Sequence, residues 1–265
     1  MFSKFQLAKK YLQYWFSASN KKGHGVHSPF VFEFITKVIN DKKDYPSYDS
    51  IEFVREKMLQ DTHMLTIEDF GAGSRVNSNY QRSVQSIAKS ALKPRKFSQL
   101  MHRMVRYYKP ETVLELGTSL GITSSYLASA RPEANVITME GAPEVAAVAK
   151  QNFQNLRLQN IEVVEGNFDE TLPDTLASLP SVDFAFIDGN HRYKPTVEYF
   201  NQILERANND SIIILDDIHW SEEMEQAWHE VQQHPRVTMT LDLFFIGIVL
   251  IKEEFKIPQH FLIKV

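Results

Sequence analysis

A strand that runs into a helix through two glycines restricts the fold of this chain more than any other feature. The apolar run 113–116 ends at Gly117, Gly121 follows four residues later, and a helical pattern begins at once. Glycine adopts a positive φ without a Cβ penalty and lets the backbone come close to a helix or a ligand. A dinucleotide fingerprint would need further glycines where Ser119 and Ile122 stand. The segment therefore predicts an α/β protein with either another kind of ligand at this turn or no ligand there.

Short apolar runs alternate with amphipathic helical patterns from about residue 96 onward. Several runs are apolar on both faces, as strands buried in a parallel sheet are. This alternation predicts a doubly wound α/β sheet. The runs 237–243 and 246–251 are joined by too short a connection for a parallel crossover, so they predict an antiparallel hairpin. The runs expected to form five parallel strands are 112–116, 135–139, 161–164, 182–187 and 211–215.

The two ends of the chain lack this alternation. Apolar residues at helical spacing predict a helical extension over residues 1–95, interrupted by a polar segment that contains Pro46. The tail 253–265 carries several large apolar residues and is expected to dock on the core, which spans 96–252. The helices expected in the extension are 5–16, 30–39 and 51–59.

Composition excludes several classes of function. The length of 265 residues suits one α/β domain with a modest extension. A net charge of −4 gives no global basic field, so no nucleic-acid partner is expected. Because the chain has no cysteine, any metal would be held by carboxylates or histidines. No segment approaches the roughly 18 apolar residues of a membrane span, and no signal peptide is evident, so we expect no membrane partner and a cytoplasmic location.

The first 16 residues combine aromatic side chains with Lys4, Lys9 and Lys10. This pattern predicts a helix that packs on its own domain, with a membrane-surface helix as the alternative. The same aromatic residues and the edge hairpin are also candidate contacts of a homodimer.

Polar residues follow each expected strand, at the sheet edge where open α/β proteins bind ligands. Glu140 comes about twenty residues after the glycine loop, and its carboxylate could accept hydrogen bonds from two ribose hydroxyls. Dinucleotide-binding folds use the same device, and an acid at a helix entrance also stabilises the helix dipole. Asn167 and Phe168 follow the third strand and suit an adenine ring, although Asn after Gly is also common turn chemistry.

Acidic loops follow the fourth and fifth strands. The fourth strand leads into Asp188-Gly-Asn-His191, and the fifth leads into Asp216-Asp217-Ile-His219. Together with the glycine loop and Glu140, this order and spacing resembles class I S-adenosylmethionine-dependent methyltransferases. The resemblance covers about residues 96–252 and is closest to the bacterial small-molecule O-methyltransferases related to catechol O-methyltransferase that carry Ile-Asp-Gly-x-His.

The resemblance implies a Rossmann-like sheet of seven strands, five parallel strands plus the C-terminal antiparallel hairpin, with an N-terminal helical cap over the substrate pocket. It implies S-adenosylmethionine as the cofactor, with a small hydroxylated molecule as the methyl acceptor. The positions that it assigns to cofactor binding are Glu115, Gly117, Thr118, Ser119, Gly121, Glu140, Gly141, Asn167, Phe168 and Asp188.

Metal-dependent members of that family hold Mg²⁺ with one Asp after the fourth strand and an Asp-Asn pair after the fifth. Carried over, these ligands are Asp188, Asp216 and Asp217, which suit a hard cation. Asp217 departs from the family's Asn, so a site without metal, with Asp217 capping the helix near Ser221, stays open. Such a metal would lower the pKa of the acceptor hydroxyl.

The general base implied by the resemblance is His191, three residues after the first Asp, with His219 as its competitor. His24 and His27 are weaker candidates for lining the pocket, and the glycine-rich segment 69–74 suits either a mobile lid or an inert loop. Two alternatives remain: a methyltransferase without metal that acts on nitrogen or a sugar hydroxyl, and a cofactor-binding interaction module without catalysis. The identity of the acceptor lies beyond the sequence.

Overall fold

The computed structural model describes residues 1–18, 28–68 and 79–265. The fold is mixed α/β, with ten α-helices and, in its main sheet, eight mostly parallel strands among these residues. Within the same residues, no helix is both long and apolar enough to cross a membrane. The chain divides into two compact units, one of residues 42–178 and one that joins 1–41 to 179–265.

The unit of residues 42–178 contains three parallel strands, in which β4 (Asn135–Glu140) lies between β3 (Thr112–Leu116) and β5 (Ile161–Glu165). All five residues of β3 are buried, as expected for the interior of a parallel sheet. Its elements are α3 (Pro46–Met58), β1 (Met64–Glu68), β2 (Asn79–Ser83), α4 (Val84–Ala91), α5 (Arg95–Tyr108), β3 (Thr112–Leu116), α6 (Ile122–Ala130), β4 (Asn135–Glu140), α7 (Pro143–Asn155), β5 (Ile161–Glu165) and α8 (Phe168–Ser178).

The other unit contains β6 and β7 in parallel, and β9 lies antiparallel between β7 and β8. The predicted antiparallel hairpin is therefore confirmed. The elements of this unit are α1 (Lys4–Ser17), α2 (Pro29–Glu33) continued by a π-helix (Phe34–Ile39), β6 (Val182–Ile187), α9 (Tyr193–Leu204), β7 (Ala207–Asp216), α10 (Glu222–Gln233), β8 (Met239–Asp242), β9 (Ile246–Leu250) and β10 (Gln259–Leu262).

The eighth strand, β10, adds to the seven that were predicted. It comes from the tail and pairs in parallel with β8. Ile263, just beyond the strand, is fully buried, and its N–H donates to the carbonyl of Asp242 at 2.9 Å. The tail thus saturates backbone groups of an edge strand that would otherwise stay open.

The N-terminal extension contains strands as well as helices. Residues of β1 pair antiparallel with β2 from Met64 opposite Ser83 to Glu68 opposite Asn79. Helix α3 begins earlier than predicted, because Pro46 occupies its first turn, where a missing N–H costs nothing. The division at residues 95 and 252 stays a prediction.

Candidate active site

The glycine loop after β3 is bonded to the end of β4. The N–H groups of Gly117 and Thr118 both donate to the carbonyl of Met139 at 3.0 Å. Gly117 has φ 105° and Ser119 has φ 48°, so the chain turns here through the left-handed region. This turn leaves the loop at the carboxyl ends of two parallel strands, where α/β proteins bind ligands.

Glu140 holds the same loop through its side chain. One carboxylate oxygen accepts the N–H of Ser119 at 2.8 Å, and the other accepts the N–H of Ala142 at 3.0 Å. Burial raises the pKa of Glu140, and the backbone N–H groups of Ala142, Ser119 and Gly141 oppose that rise. Three backbone donors do not fill the four acceptor positions of a carboxylate, so Glu140 keeps the capacity to accept a further donor such as a hydroxyl.

Gly121 is required by packing as well as by its backbone. It caps α6 with φ 80°, and a Cβ at this position would lie 2.7 Å from Cε1 of Phe153 on α7. The second glycine of the motif therefore allows α6 to begin in contact with α7. The sequence alone did not show whether this glycine makes room for a helix or for a ligand.

Glu115 lies completely buried beneath the loop. Its Oε2 accepts hydrogen bonds from Ser124 on α6 and from Thr138 on β4, the latter at 2.6 Å. Since the hydroxyl proton of Thr138 goes to Glu115, the contact of 2.6 Å between Thr118 and Thr138 is donated by Thr118. Burial raises the pKa of Glu115 to about 7, although the hydrogen bonds from the hydroxyls of Ser124 and Thr138 lower it. This position favours a role in holding the loop, rather than direct contact with a ligand.

Asn167 and Phe168 open α8. The side-chain oxygen of Asn167 accepts the N–H of Asp169 at 3.1 Å, and its carbonyl accepts the N–H groups of Glu170 and Thr171. The turn chemistry left open by the sequence is therefore present. Phe168 is partly buried. An adenine contact for either residue stays a prediction.

A group of metal-binding side chains lies at the ends of β6 and β7. Ligand atoms of Asp188, His191 and Asp216 all lie within 4.8 Å of one another. Nε2 of His191 is 3.6 Å from Oδ1 of Asp188, and Asp216 is only 1% exposed. Two carboxylates and an imidazole fit a divalent cation, and the imidazole admits transition metals as well as Mg²⁺.

Asp217 is outside that group. It has φ 51°, and its N–H donates to the carbonyl of Phe245 at 2.7 Å. It does not cap α10 either, because the N-cap is Ser221, whose hydroxyl accepts the N–H of Met224 at 3.2 Å. The helix-cap alternative for Asp217 is thus wrong, and its assignment as a metal ligand stays a prediction.

His219 bridges two carboxylates. Its Nε2 lies 2.8 Å from Asp242 and its Nδ1 lies 3.0 Å from Glu225, which also pairs with Lys10 at 2.9 Å. Burial alone would lower the pKa of His219, but the hydrogen bonds and charges of Asp242 and Glu225 raise it above 6.5. Both ring nitrogens of His219 are engaged by carboxylates, which leaves neither free to take a proton from an acceptor, so this geometry favours His191 as the base.

Sequence reasoning missed the partners of these groups. Thr138 is a hydroxyl residue inside a mostly apolar strand, and Asp242 is an acid at the end of β8. Both positions could have been recognised from the sequence as hydrogen-bond partners of a site residue. Ser124 carried no such signal. His24, His27 and the segment 69–74 lie outside the described residues.

A glycine loop that is bonded to an acid after β4, at the carboxyl ends of parallel strands, resembles the cofactor side of class I S-adenosylmethionine-dependent methyltransferases. Residues 114–218 match a family model described as a methyltransferase domain. It covers less than half of the chain.

Known proteins agree with that class. A catechol O-methyltransferase of Mycobacterium tuberculosis is 36% identical over 108 residues, which cover 40% of this chain and 47% of that protein. The chain thus matches under half the length of this relative.

Two solved structures share the fold. The S-adenosylhomocysteine-bound methyltransferase PaMTH1 of Podospora anserina has a TM-score of 0.62 at 15% identity, covering 85% of this chain and 97% of that one. The O-methyltransferase from Bacillus cereus in complex with S-adenosylhomocysteine has a TM-score of 0.55 at 17% identity, covering 83% and 97%.

Proposed function

We propose that this chain transfers a methyl group from S-adenosylmethionine to a hydroxyl of a small molecule. The observation that carries the proposal is the carboxylate of Glu140, which is bonded to the glycine loop at Ser119 and keeps acceptor capacity for a hydroxyl of a ligand. The methyltransferase domain match over residues 114–218 and the O-methyltransferase relatives support the same activity.

The residues of the loop and strand ends would hold the cofactor. Glu140 would accept the two ribose hydroxyls, Asn167 would bond the adenine edge, and Phe168 would lie beside the ring. When bound, S-adenosylmethionine supplies the methyl group as an electrophile, so the protein contributes positioning and activation of the acceptor. The bonds between the loop and Met139 and Glu140 fix the loop before any ligand arrives, which lowers the ordering cost of binding.

Asp188 and Asp216 would hold a divalent cation, with His191 or Asp217 as a third ligand. Such a cation lowers the pKa of an acceptor hydroxyl. If His191 is instead the base, it takes the hydroxyl proton at a ring nitrogen, and Asp188 stabilises the imidazolium that results.

The contact between His191 and Asp188 favours one alternative, a methyltransferase without metal. In it, Asp188 orients His191 as the base, and the acceptor is a nitrogen or a sugar hydroxyl. The alternative without catalysis is a cofactor-binding interaction module, and such a module does not require the carboxylates of Asp188 and Asp216 to lie together.

Calorimetric titration with S-adenosylhomocysteine, with and without Mg²⁺, tests the proposal. We expect binding that Glu140→Ala abolishes. The control is Glu165→Ala, since Glu165 ends the neighbouring strand opposite Glu140 but pairs with Lys150 at the surface. Failure of the wild-type protein to bind in either condition would overturn the proposal.

The variant Asp216→Asn separates the enzyme from the interaction module. In an enzyme, turnover of hydroxylated acceptors is lost while S-adenosylhomocysteine still binds. Titration of the cofactor-bound protein with Mg²⁺ and with Mn²⁺ then identifies the third ligand, since either His191→Ala or Asp217→Asn weakens metal binding. A wild-type protein that turns over an acceptor but binds neither Mg²⁺ nor Mn²⁺ selects the metal-free alternative.

A further inference from the structure

Helix α1 docks on its own unit through one face. Tyr14 and Ala18 are buried against Phe244, and Leu7 and Tyr11 pack around them. The rings of Tyr11 and Phe244 meet edge to face at 5.0 Å between centroids. This face accounts for the helix predicted to pack on its own domain, and the ion pair of Lys10 with Glu225 adds to the same contact.

A second apolar face of α1 is exposed. Its members recur at the three- and four-residue spacing that places side chains on one side of a helix. They are far more exposed than large apolar side chains usually are, and several exposed apolar side chains on one face mark a candidate interaction site. We call this face the exposed stripe; it consists of Phe5 (80% exposed), Leu12 (56%), Trp15 (40%) and Phe16 (82%).

Cations surround the exposed stripe. Lys4 and Lys9 are exposed and lie on either side of it by helical position, and Nζ of Lys264 lies 4.8 Å from the ring centroid of Trp15. Helix α1 contains no acidic residue, although the whole chain carries a net charge of −4. The local charge is therefore opposite to the global charge, which selects an anionic partner.

We propose that α1 binds the surface of a membrane that contains anionic lipids, with the exposed stripe in the interfacial region and its lysines at the headgroups. Helices that lie in the plane of a bilayer typically carry Trp, Phe and Leu on one face, with lysines on either side of that face. A second copy of the chain fits less well, because pairing two such faces would bring their lysines together without acids on the helix to meet them. The opposite face of α1 stays docked on Phe244, so binding needs no unfolding of the helix from its unit. The proposal is independent of the proposed catalysis.

Vesicle flotation of the 265-residue chain tests this membrane binding. The vesicles are pure phosphatidylcholine or phosphatidylcholine with about one third phosphatidylglycerol, which supplies the anionic surface. One variant combines Phe5→Ala, Leu12→Ala and Phe16→Ala, and a second combines Lys4→Gln and Lys9→Gln. Alanine is the best helix former, so the triple variant keeps α1 helical, which far-UV circular dichroism checks.

The matched control is Phe53→Ala. Phe53 is 58% exposed on another helix, and Nζ of Lys57 lies 4.4 Å from its ring centroid, so this pair resembles the exposed stripe in chemistry but not in extent.

We expect flotation of the wild-type protein with the anionic vesicles alone. The triple variant should lose at least about tenfold in binding, since each removed side chain takes apolar area out of the bilayer. The lysine variant should lose binding at physiological salt, and Phe53→Ala should bind like the wild-type protein. Absence of wild-type binding, or equal binding of the triple variant, would overturn the proposal. A dimer in sedimentation that the triple variant dissociates, without vesicle binding, would assign the face to a second copy instead.

Discussion

At the scale of single residues, Glu115 should make the free energy of unfolding depend on pH in a way that can be measured. Its pKa rises from 4.5 to about 7 on burial in the folded state. Between these values the folded protein binds a proton that the unfolded chain has lost, so stability falls as the pH rises from about 4.5 to 7. Glu115→Gln should remove this fall and be more stable than the wild-type protein at pH 8, by up to about 3 kcal/mol.

Denaturant unfolding of both proteins at several pH values checks this prediction. Glu165→Gln is the control, because Glu165 is an exposed acid at the end of the neighbouring strand and should leave the profile as it is. A wild-type profile that Glu115→Gln does not change would show that Glu115 is ionised in the folded state.

The two candidate bases, His191 and His219, should respond differently to substitution. His219→Gln breaks a charged bridge between Asp242 and Glu225, so it should lower the free energy of unfolding by about 2 kcal/mol. Because the pKa of His219 is raised, its stabilisation is present below pH 6.5 and is lost as the pH rises through the raised pKa. His191→Gln should leave stability unchanged and reduce turnover about 10²- to 10⁴-fold.

Thermal unfolding and steady-state kinetics of the two variants separate these roles. The assignment is wrong if His219→Gln keeps its melting temperature and loses turnover, while His191→Gln stays active.

At the scale of elements, the tail strand β10 should be held by one buried side chain. Ile263 is fully buried, and its carbonyl accepts the hydroxyl of Tyr14, whereas Leu262 is 40% exposed. Ile263→Ala should therefore cost about 2–5 kcal/mol, and Leu262→Ala about 0.5 kcal/mol or less. Urea unfolding measures both, and equal effects would show that the tail does not contribute through Ile263.

Strands of the predicted sheet and the strand that was missed differ in their sequence signal. The runs of β3 and β6 are five and six residues long and mostly apolar, so they can be recognised without their neighbours. The segment of β10 is four residues with alternating exposure, and it becomes a strand only because β8 presents an open edge beside it. Sequence patterns cannot predict which edge a short polar segment will meet.

At the scale of the whole molecule, the N-terminal extension should be indispensable. Ile51, Val54 and Met58 of α3 are buried in one cluster with Ile122 and Tyr126 of α6. The hydroxyl of Tyr126 also donates to Glu52 at 2.8 Å. A chain that begins at residue 96 would expose this cluster, so it should lose cooperative thermal unfolding in near-ultraviolet circular dichroism. A sharp transition in that shortened chain would show that residues 1–95 are a separable cap.

The sequence by itself determined the α/β class, the strand-to-helix glycine turn and the positions of the acids after four strands. These features are local, since they depend on periodicity, on the φ of glycine and on where apolar runs end. The cytoplasmic location, the homodimer and the small-molecule acceptor stay predictions.

Tertiary structure decided which of those residues meet. It buried Glu115 under the loop, paired His219 with Asp242 and Glu225, grouped His191 with Asp188 and Asp216, and left a second apolar face of α1 in solvent. Burial and the identity of a partner depend on contacts between residues far apart in the chain. The pattern of residues along the chain therefore names the candidates, and only the packed fold selects their environments.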